Sequence, residues 1–233
     1  MLAFMKRTLR VWDLPTRLFH WLLVACITGA VICVNIGGNA MQWHAYFGYS
    51  ALTLVAFRVI WGFVGTLHSR FSSFVPSPSR LIAFLRGEVG SGIGHNPLGS
   101  LSVLALLAVV GIQAGTGLFT DDDIAFQGPF AKYVSGETVS LLSSIHALNS
   151  NILFGLIGLH IVAIAYYQFV KRDSIVLPMI DGDKVVDVET LGKGLPHALL
   201  QESRDGAKQR LLALLLLCVL ALLLTYALGL ISF

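Results

Sequence analysis

Seven histidines occur among the 233 residues, and four of them, His20, His44, His146 and His160, lie inside long apolar stretches. Imidazole can ligate a metal, relay a proton or act as a general base. An ionisable ring at membrane depth is costly, so its presence there marks a function. A single one is also read as a satisfied polar residue in a helix core. Four at related spacings point instead to ligation. His146 and His160 are 14 residues apart on one expected helix. That is almost four turns, so the two rings face the same way within about 40° and stand about 21 Å apart along the axis. One metal ion cannot bridge that distance, nor can a catalytic dyad form across it. The spacing fits two separate sites stacked at two depths.

The elements that must carry these rings follow from composition. Hydrophobic residues make up 55% of the chain and charged residues only 12%. Mean hydropathy is +0.76. Soluble domains carry roughly twice that charged fraction. An ordinary cytosolic globule, a disordered chain and a nucleic-acid binder are excluded, and a membrane protein is implied. A crossing helix needs about 20 apolar residues. Five stretches qualify: Thr16–Ile36, Trp43–Gly65, Leu98–Phe119, Ile145–Val170 and Gln209–Ile231. The first is long and polar near its start, and is read as a span, not a cleaved leader. The expected fold is an all-α integral membrane bundle: a four-helix core over residues 1–172, a cytoplasmic connector over 173–208, and a fifth transmembrane helix over 209–233. The three cysteines, Cys26, Cys33 and Cys218, form neither a CxxC pair nor a CxxCH haem attachment motif.

Charge placement orients the spans. Lys6, Arg7, Arg10 and Arg17 precede or open the first; Arg70, Arg80 and Arg86 lie between the second and third; Lys171, Arg172, Lys184, Lys193, Arg204 and Lys208 lie between the fourth and fifth. The loop after the third span has only Lys132, together with Asp121, Asp122, Asp123 and Glu137. The N-terminus is therefore expected inside and the C-terminus outside. With that orientation, His20 and His160 fall toward the inner face and His44 and His146 toward the outer face. Two imidazoles from different helices at one depth are the axial ligands of a bis-histidine haem. A zinc site would want three or four clustered ligands.

Further residues suit two haems. Gly48 lies one turn after His44, where a small residue leaves room for a flat macrocycle; Gly111, Gly115, Gly117, Gly155 and Gly158 read equally as helix-packing glycines. Arg58 is 14 residues past His44, and an arginine inside a span needs an anion, for which a haem propionate would serve. Arg17 is a second candidate, set against a snorkelling interface role. His68, His95 and His197 are read as solvated or structural. Residues 71–79 read as an irregular turn, Arg80–Arg86 as a short interfacial helix, 91–96 as a glycine-containing loop and Ile175–Val188 as a small hairpin. The acidic outer loop could attract a basic protein through its field, or be solvated. The Leu-rich fifth span reads as lipid-facing or as a subunit contact.

The segment Val11-Trp12-Asp13-Leu14-Pro15-Thr16-Arg17-Leu18-Phe19-His20-Trp21 resembles the start of prokaryotic di-haem b-type cytochromes, the cytochrome b561 family and the b-type cytochrome subunits of nickel–iron hydrogenases and formate dehydrogenases. His44-Ala45-Tyr46-Phe47-Gly48-Tyr49, Phe57-Arg58-Val59-Ile60-Trp61-Gly62, Gly117-Leu118-Phe119-Thr120-Asp121-Asp122-Asp123 and the fourth-span histidines extend the likeness over residues 10–195. The resemblance implies two non-covalent b haems, with the fourth helix ligating each once. It also implies electron transfer between a membrane quinone and a partner such as a periplasmic cytochrome c or dehydrogenase, in the bacterial inner membrane. A quinone would bind near one haem, with Asn96, His95 and Arg17 as loose candidates for its pocket.

Three rival readings make different demands on the sequence. A proton- or metal-coupled transporter would place acidic residues within the spans, and none of note is there. An intramembrane hydrolase would need a poised nucleophile; Ser143 and Ser144 precede His146, but no Gly-x-Ser-x-Gly turn is present. A purely anchoring subunit is compatible with haem and differs only in emphasis. No catalytic nucleophile is expected, and any enzyme activity would be that of a quinone oxidoreductase.

Overall fold

The computed structural model describes residues 6–90, 92–122, 126–187 and 201–229. Asp123 of the acidic loop, Lys193 and His197 of the connector, the end of the expected hairpin at Val188 and the end of the fifth span at Ile231 lie outside the described residues.

Among the described residues, five helices are long and apolar enough to cross a membrane: Leu14–Ile36 (α1), Ala40–Val64 (α2), Pro97–Gly117 (α5), Gly136–Val170, of which Gly136–Ala165 is α-helical (α6), and Ala207–Ala227 (α8). Short helices stand between them: α3 (Phe71–Phe74), α4 (Pro78–Leu85) and α7 (Pro178–Asp181). The chain is an all-α integral membrane protein, as expected. Large apolar side chains face outward along the spans, for example Phe63, Leu148, Leu159 and Leu223. That distribution suits a hydrocarbon solvent, where apolar surface has no reason to be buried.

Helix starts follow local chemistry. Asp13 caps α1: its Oδ1 accepts the Thr16 amide at 2.7 Å, with Pro15 inside the first turn. Asn96 does the same for α5, accepting from Gly99 at 2.7 Å with Pro97 at the first helical position. Ser135 caps α6, accepting from Thr138 at 3.3 Å. This cap moves the start of the fourth span nine residues before the Ile145 that hydropathy marks, because Ser140, Ser143 and Ser144 dilute the apolar signal without breaking the helix. Residues 71–74 form a short helix where an irregular turn was expected. The interfacial helix expected at Arg80–Arg86 is α4, capped by Ser77 and with no buried residue.

The hairpin expected over Ile175–Val188 is not formed. Gly182 ends α7, and the strand that follows, β2 (Asp183–Asp187), pairs antiparallel with an N-terminal strand, β1 (Lys6–Arg10), in the register Arg7↔Val186, Leu9↔Lys184 and Arg10↔Asp183. Strand partners distant in sequence leave no local signal, so the strand was visible and its partner was not.

The chain divides into two compact units. The first contains Met1–Leu18, Val59–Leu104 and Leu159–Ala213. Its apolar centre is Leu9, Val11, Trp12, Ile93 and Val186, with Met179 packed on it. The second contains Phe19–Arg58, Ala105–Gly158 and Leu214–Phe233. Its centre is Val55, Val110 and Leu153, flanked by Leu23, Ile27, Leu106, Val109 and Ile157.

Candidate functional site

In the second unit, α1 and α2 are joined by a tight turn in which Gly37 and Gly38 adopt φ of 69° and 53°, a conformation glycine takes without strain. The turn sends α2 back beside α1. A Cβ on Gly29 would lie 2.6 Å from the Phe47 ring, so the absence of one lets the two helices approach. That approach delivers the next carbonyl, Ala30 O, to His44 Nδ1 at 2.9 Å. A carbonyl only accepts, so Nδ1 carries the proton and the Nε2 lone pair of His44 is left for a ligand role.

The same device recurs between α5 and α6. A Cβ on Gly117 would stand 3.1 Å from His146 Cε1. His146 Nδ1 hydrogen-bonds to Gln113 O at 3.0 Å and lies 3.2 Å from Thr116 Oγ1. Asn149, one turn past His146 and buried, donates to Val109 O at 3.0 Å and to Gln113 Oε1 at 2.7 Å, tying α6 to α5. Again the proton sits on Nδ1 and Nε2 is left as a donor to a metal.

The structure brings these two histidines together. The ring centroids of His44 and His146 are 6.3 Å apart, with the planes at 75°. A metal–imidazole bond is about 2 Å, and the atoms of a five-membered ring with bonds near 1.35 Å lie about 1.2 Å from its centre. Two rings ligating one metal from opposite sides therefore have centroids about 6.4 Å apart. The observed spacing matches. No group of three or more His, Cys, Asp or Glu side chains suited to a metal ion occurs among the described residues. Two axial imidazoles are what a porphyrin iron, already held by four ring nitrogens, takes from a protein. Around Gly48, one turn past His44, no atom lies within 4 Å of where a Cβ would be, so the helix surface beside that histidine is open. The residues present fit a haem.

His20 is half-buried on α1, its ring edge-on to Trp21 at 4.9 Å. His160 is half-buried on α6. His20 belongs to the second unit and His160 to the first. Arg58 is only 2% exposed on α2.

Arg17 belongs to the first unit, where the protein itself supplies acceptors. Its Nη1 donates to Ile180 O, and Nη2 is 3.7 Å from Asp205. Asp205 also takes Arg10 at 3.2 Å, Arg210 at 3.1 Å and the Leu14 amide at 3.2 Å. Burial alone would raise the Asp205 carboxyl; the Arg210 hydrogen bond, the Leu14 amide and the nearby guanidinium charges outweigh it and hold it below its ordinary range. The Asp183 carboxylate pairs with Arg10 and pushes that guanidinium up, against a smaller opposing effect of burial.

A feature the residue pattern did not flag is the buried carboxylate of Asp13. Besides capping α1, its Oδ2 accepts from Trp61 Nε1 at 3.1 Å, Thr66 Oγ1 at 2.5 Å and Ser69 Oγ at 2.8 Å. An Asp two residues before a Pro, at the head of an apolar run, was the available signal. His68 and His95 are packed, not solvated. His68 Nε2 contacts Gln201 O at 3.0 Å, and burial pushes its pKa down, partly offset by that bond. His95 sits between Trp12 and Phe74, with centroids 4.6 and 4.8 Å away. Both line a small pocket of about 20 Å³ with Ser73, Phe74, Arg80 and Ile93. Asn96 is engaged as the α5 cap.

The chain is similar in sequence to cytochrome subunits associated with hydrogenases. The probable Ni/Fe-hydrogenase B-type cytochrome subunit of Bradyrhizobium diazoefficiens is 26% identical, over 77% of this chain and 87% of its own length. That of Azotobacter chroococcum is 26% identical, over 74% and 86%. The probable Ni/Fe-hydrogenase 1 B-type cytochrome subunit of Escherichia coli K12 is 24% identical, over 74% and 88%. Residues 11–182 match the family described as prokaryotic cytochrome b561, and the chain belongs to that family: it is a multi-pass membrane cytochrome that transfers electrons through haem b.

Proposed function

We propose that the chain holds two b haems, one on His44 and His146 and one on His20 and His160, and passes electrons between a membrane quinone and a redox partner at the periplasmic face of the bacterial inner membrane. The single observation that carries this reading is the 6.3 Å spacing of the His44 and His146 rings, each with its Nδ1 held by a main-chain carbonyl. The second pair is inferred from helix periodicity: His160 lies 14 residues past His146, on the same face of α6 and about 21 Å along it.

When bound, the haem supplies a one-electron couple that no side chain of this protein provides. The chain supplies position and environment. His44 and His146 present neutral Nε2 donors, and their backbone partners fix tautomer and ring direction. Arg58, deep in a span, offers a cation to a propionate, and Gly48 leaves room beside His44. Arg17, with its own protein acceptors, would assist only the other haem. The packed aromatics and apolar spans exclude water.

A membrane quinone is the proposed electron partner, with His95 as the candidate contact, since Asn96 is engaged as the α5 cap and Arg17 with Ile180 and Asp205. The hydrogenase relatives suggest a partner class. We infer a nickel–iron hydrogenase or a similar dehydrogenase, with a periplasmic cytochrome c as the other candidate. The distribution of Lys and Arg supports a cytoplasmic N-terminus and a periplasmic C-terminus.

The test is the visible spectrum of the purified chain with a pyridine haemochrome assay. About two non-covalent b haems per chain are expected, one per histidine pair. His44→Ala and His146→Ala should each remove the same haem, and His160→Ala the other. A colourless protein, or a His146→Ala variant that keeps both haems, overturns the reading.

A further inference from the structure

The two imidazoles of the His44–His146 pair are not held alike. His44 Nδ1 has one acceptor among the described residues, the Ala30 carbonyl at 2.9 Å. His146 Nδ1 has two, the Gln113 carbonyl at 3.0 Å and the Thr116 hydroxyl oxygen at 3.2 Å. The Thr116 hydroxyl proton is already directed elsewhere, to Ile112 O at 2.7 Å and Gln113 O at 3.2 Å. Its oxygen therefore meets the His146 N–H as an acceptor. Both acceptors come from α5, a span that carries no histidine. The Gln113 side chain is fixed in turn by the buried Asn149, and Gly117 leaves the space into which the His146 ring fits.

We propose that Thr116 is a positioning residue that tunes His146: the hydroxyl, with the Gln113 carbonyl, draws on the Nδ1 proton and makes Nε2 a stronger donor to the haem iron. An outer-shell acceptor raises the basicity of a ligating imidazole. A more basic axial ligand favours ferric over ferrous iron, so Thr116 lowers the midpoint potential of that haem. Hydrogen bonding to the ligand is one of the means by which a protein sets haem potential. In this view α5 is the helix that sets the electronics of a site it does not ligate. The proposal rests on the assignment of His44 and His146 as an axial pair.

The experiment is a redox titration, followed by visible absorbance, of the intact purified chain. The component of interest is the one that His146→Ala abolishes. Thr116→Val keeps the shape of the side chain and removes the acceptor. It is expected to shift the ferric/ferrous ratio at fixed potential several-fold toward ferrous, up to about tenfold, or 59 mV for one electron. The other haem component should not move. Thr116→Ser retains the hydroxyl and should titrate like the parent, whereas Thr116→Ala should follow the valine variant. Haem content by pyridine haemochrome is measured on each. If the valine and alanine variants keep their haem and shift the ratio less than twofold, the proposal fails. If both lose the haem while serine keeps it, the hydroxyl holds the ligand and does not tune it, which also overturns the proposal. A parent chain without haem would sink the axial-pair assignment itself, a different result from an unshifted potential.

Discussion

The region around His44 and His146 and the region around Asp13 and Asp205 bury polar groups by opposite means. The first is built on hydrogen bonds between uncharged groups. Its imidazoles and Asn149 bond to main-chain carbonyls of neighbouring helices, and close approach at Gly29 and Gly117 brings those carbonyls within reach. The second uses charge. Asp13 gathers four donors, and Asp205 gathers three arginines and an amide, knitting the N-terminal strand to the segment before α8. In an apolar span a neutral ligand must be aimed without adding net charge, since desolvated charge is expensive. Near the span ends, carboxylates can be satisfied and water can share the load. The contrast implies that one region is tuned by helix spacing and the other by ionisation.

The largest expected effect is at Asp13. Asp13→Ala leaves the Trp61 indole N–H, the Thr66 and Ser69 hydroxyls and the Thr16 amide without their acceptor. The loss should be about 3 kcal/mol or more, given 1–3 kcal/mol for each unsatisfied buried group and about 1 kcal/mol for a lost cap. Thermal unfolding in detergent would measure it; a Tm within a degree or two of the parent would show the cluster to be dispensable. Next is Gly29→Ala, whose Cβ would sit 2.6 Å from the Phe47 ring. Overpacking of this kind costs about 1–3 kcal/mol. It should also displace Ala30 O from His44, so haem content or the Soret band must change, whereas Asp13→Ala acts on stability first. If Gly29→Ala left both unaltered, the helix-spacing account of the histidine site would be wrong.

The third effect separates the regions by pH. Burial lowers the His68 pKa in the folded chain, so the unfolded chain binds the proton more readily. Stability is therefore expected to fall as pH drops through the ordinary histidine range near 6.5, and to level off below the depressed folded value. One proton changes stability by at most about 1.4 kcal/mol per pH unit. Comparing Tm at pH 8 and pH 5.5 in the parent and in His68→Gln checks it: the variant should lose that part of the slope. The smallest effect is at the surface pair Arg7–Glu202, 3.5 Å apart with side chains 63% and 49% exposed. Arg7→Ala should cost about 0.5 kcal/mol or less, and less still in high salt. A larger loss would mean that the exposed rim of the strand pair carries more of the fold than its solvation allows.

Legibility followed the range of each interaction. The spans were visible because about 20 apolar residues are a local property of the chain, and their ends moved only where caps such as Ser135 lie outside the apolar run. The pairing of His44 with His146 was legible because helix direction and depth follow from charge and rise per residue. The partners of the Nδ1 atoms were not. Gln113, Thr116 and Asn149 read as stray polar residues in apolar helices, and Ala30 O is a main-chain atom that no side-chain pattern reports. Arg17 illustrates the same limit. Its position suited an anion, but which anion depends on Ile180 and Asp205, more than 160 residues away in the chain.

By itself the sequence determined that this chain is a multi-pass membrane protein of long apolar helices, because hydropathy and helical period act between residues near one another. Only the tertiary structure decided which carbonyl each imidazole meets, which strand pairs with the N-terminus, and that Asp13 is a hub and not a surface acid. Those outcomes depend on where separate helices pass within hydrogen-bonding distance, and such approaches are set by glycines and packed rings whose partners lie far along the chain.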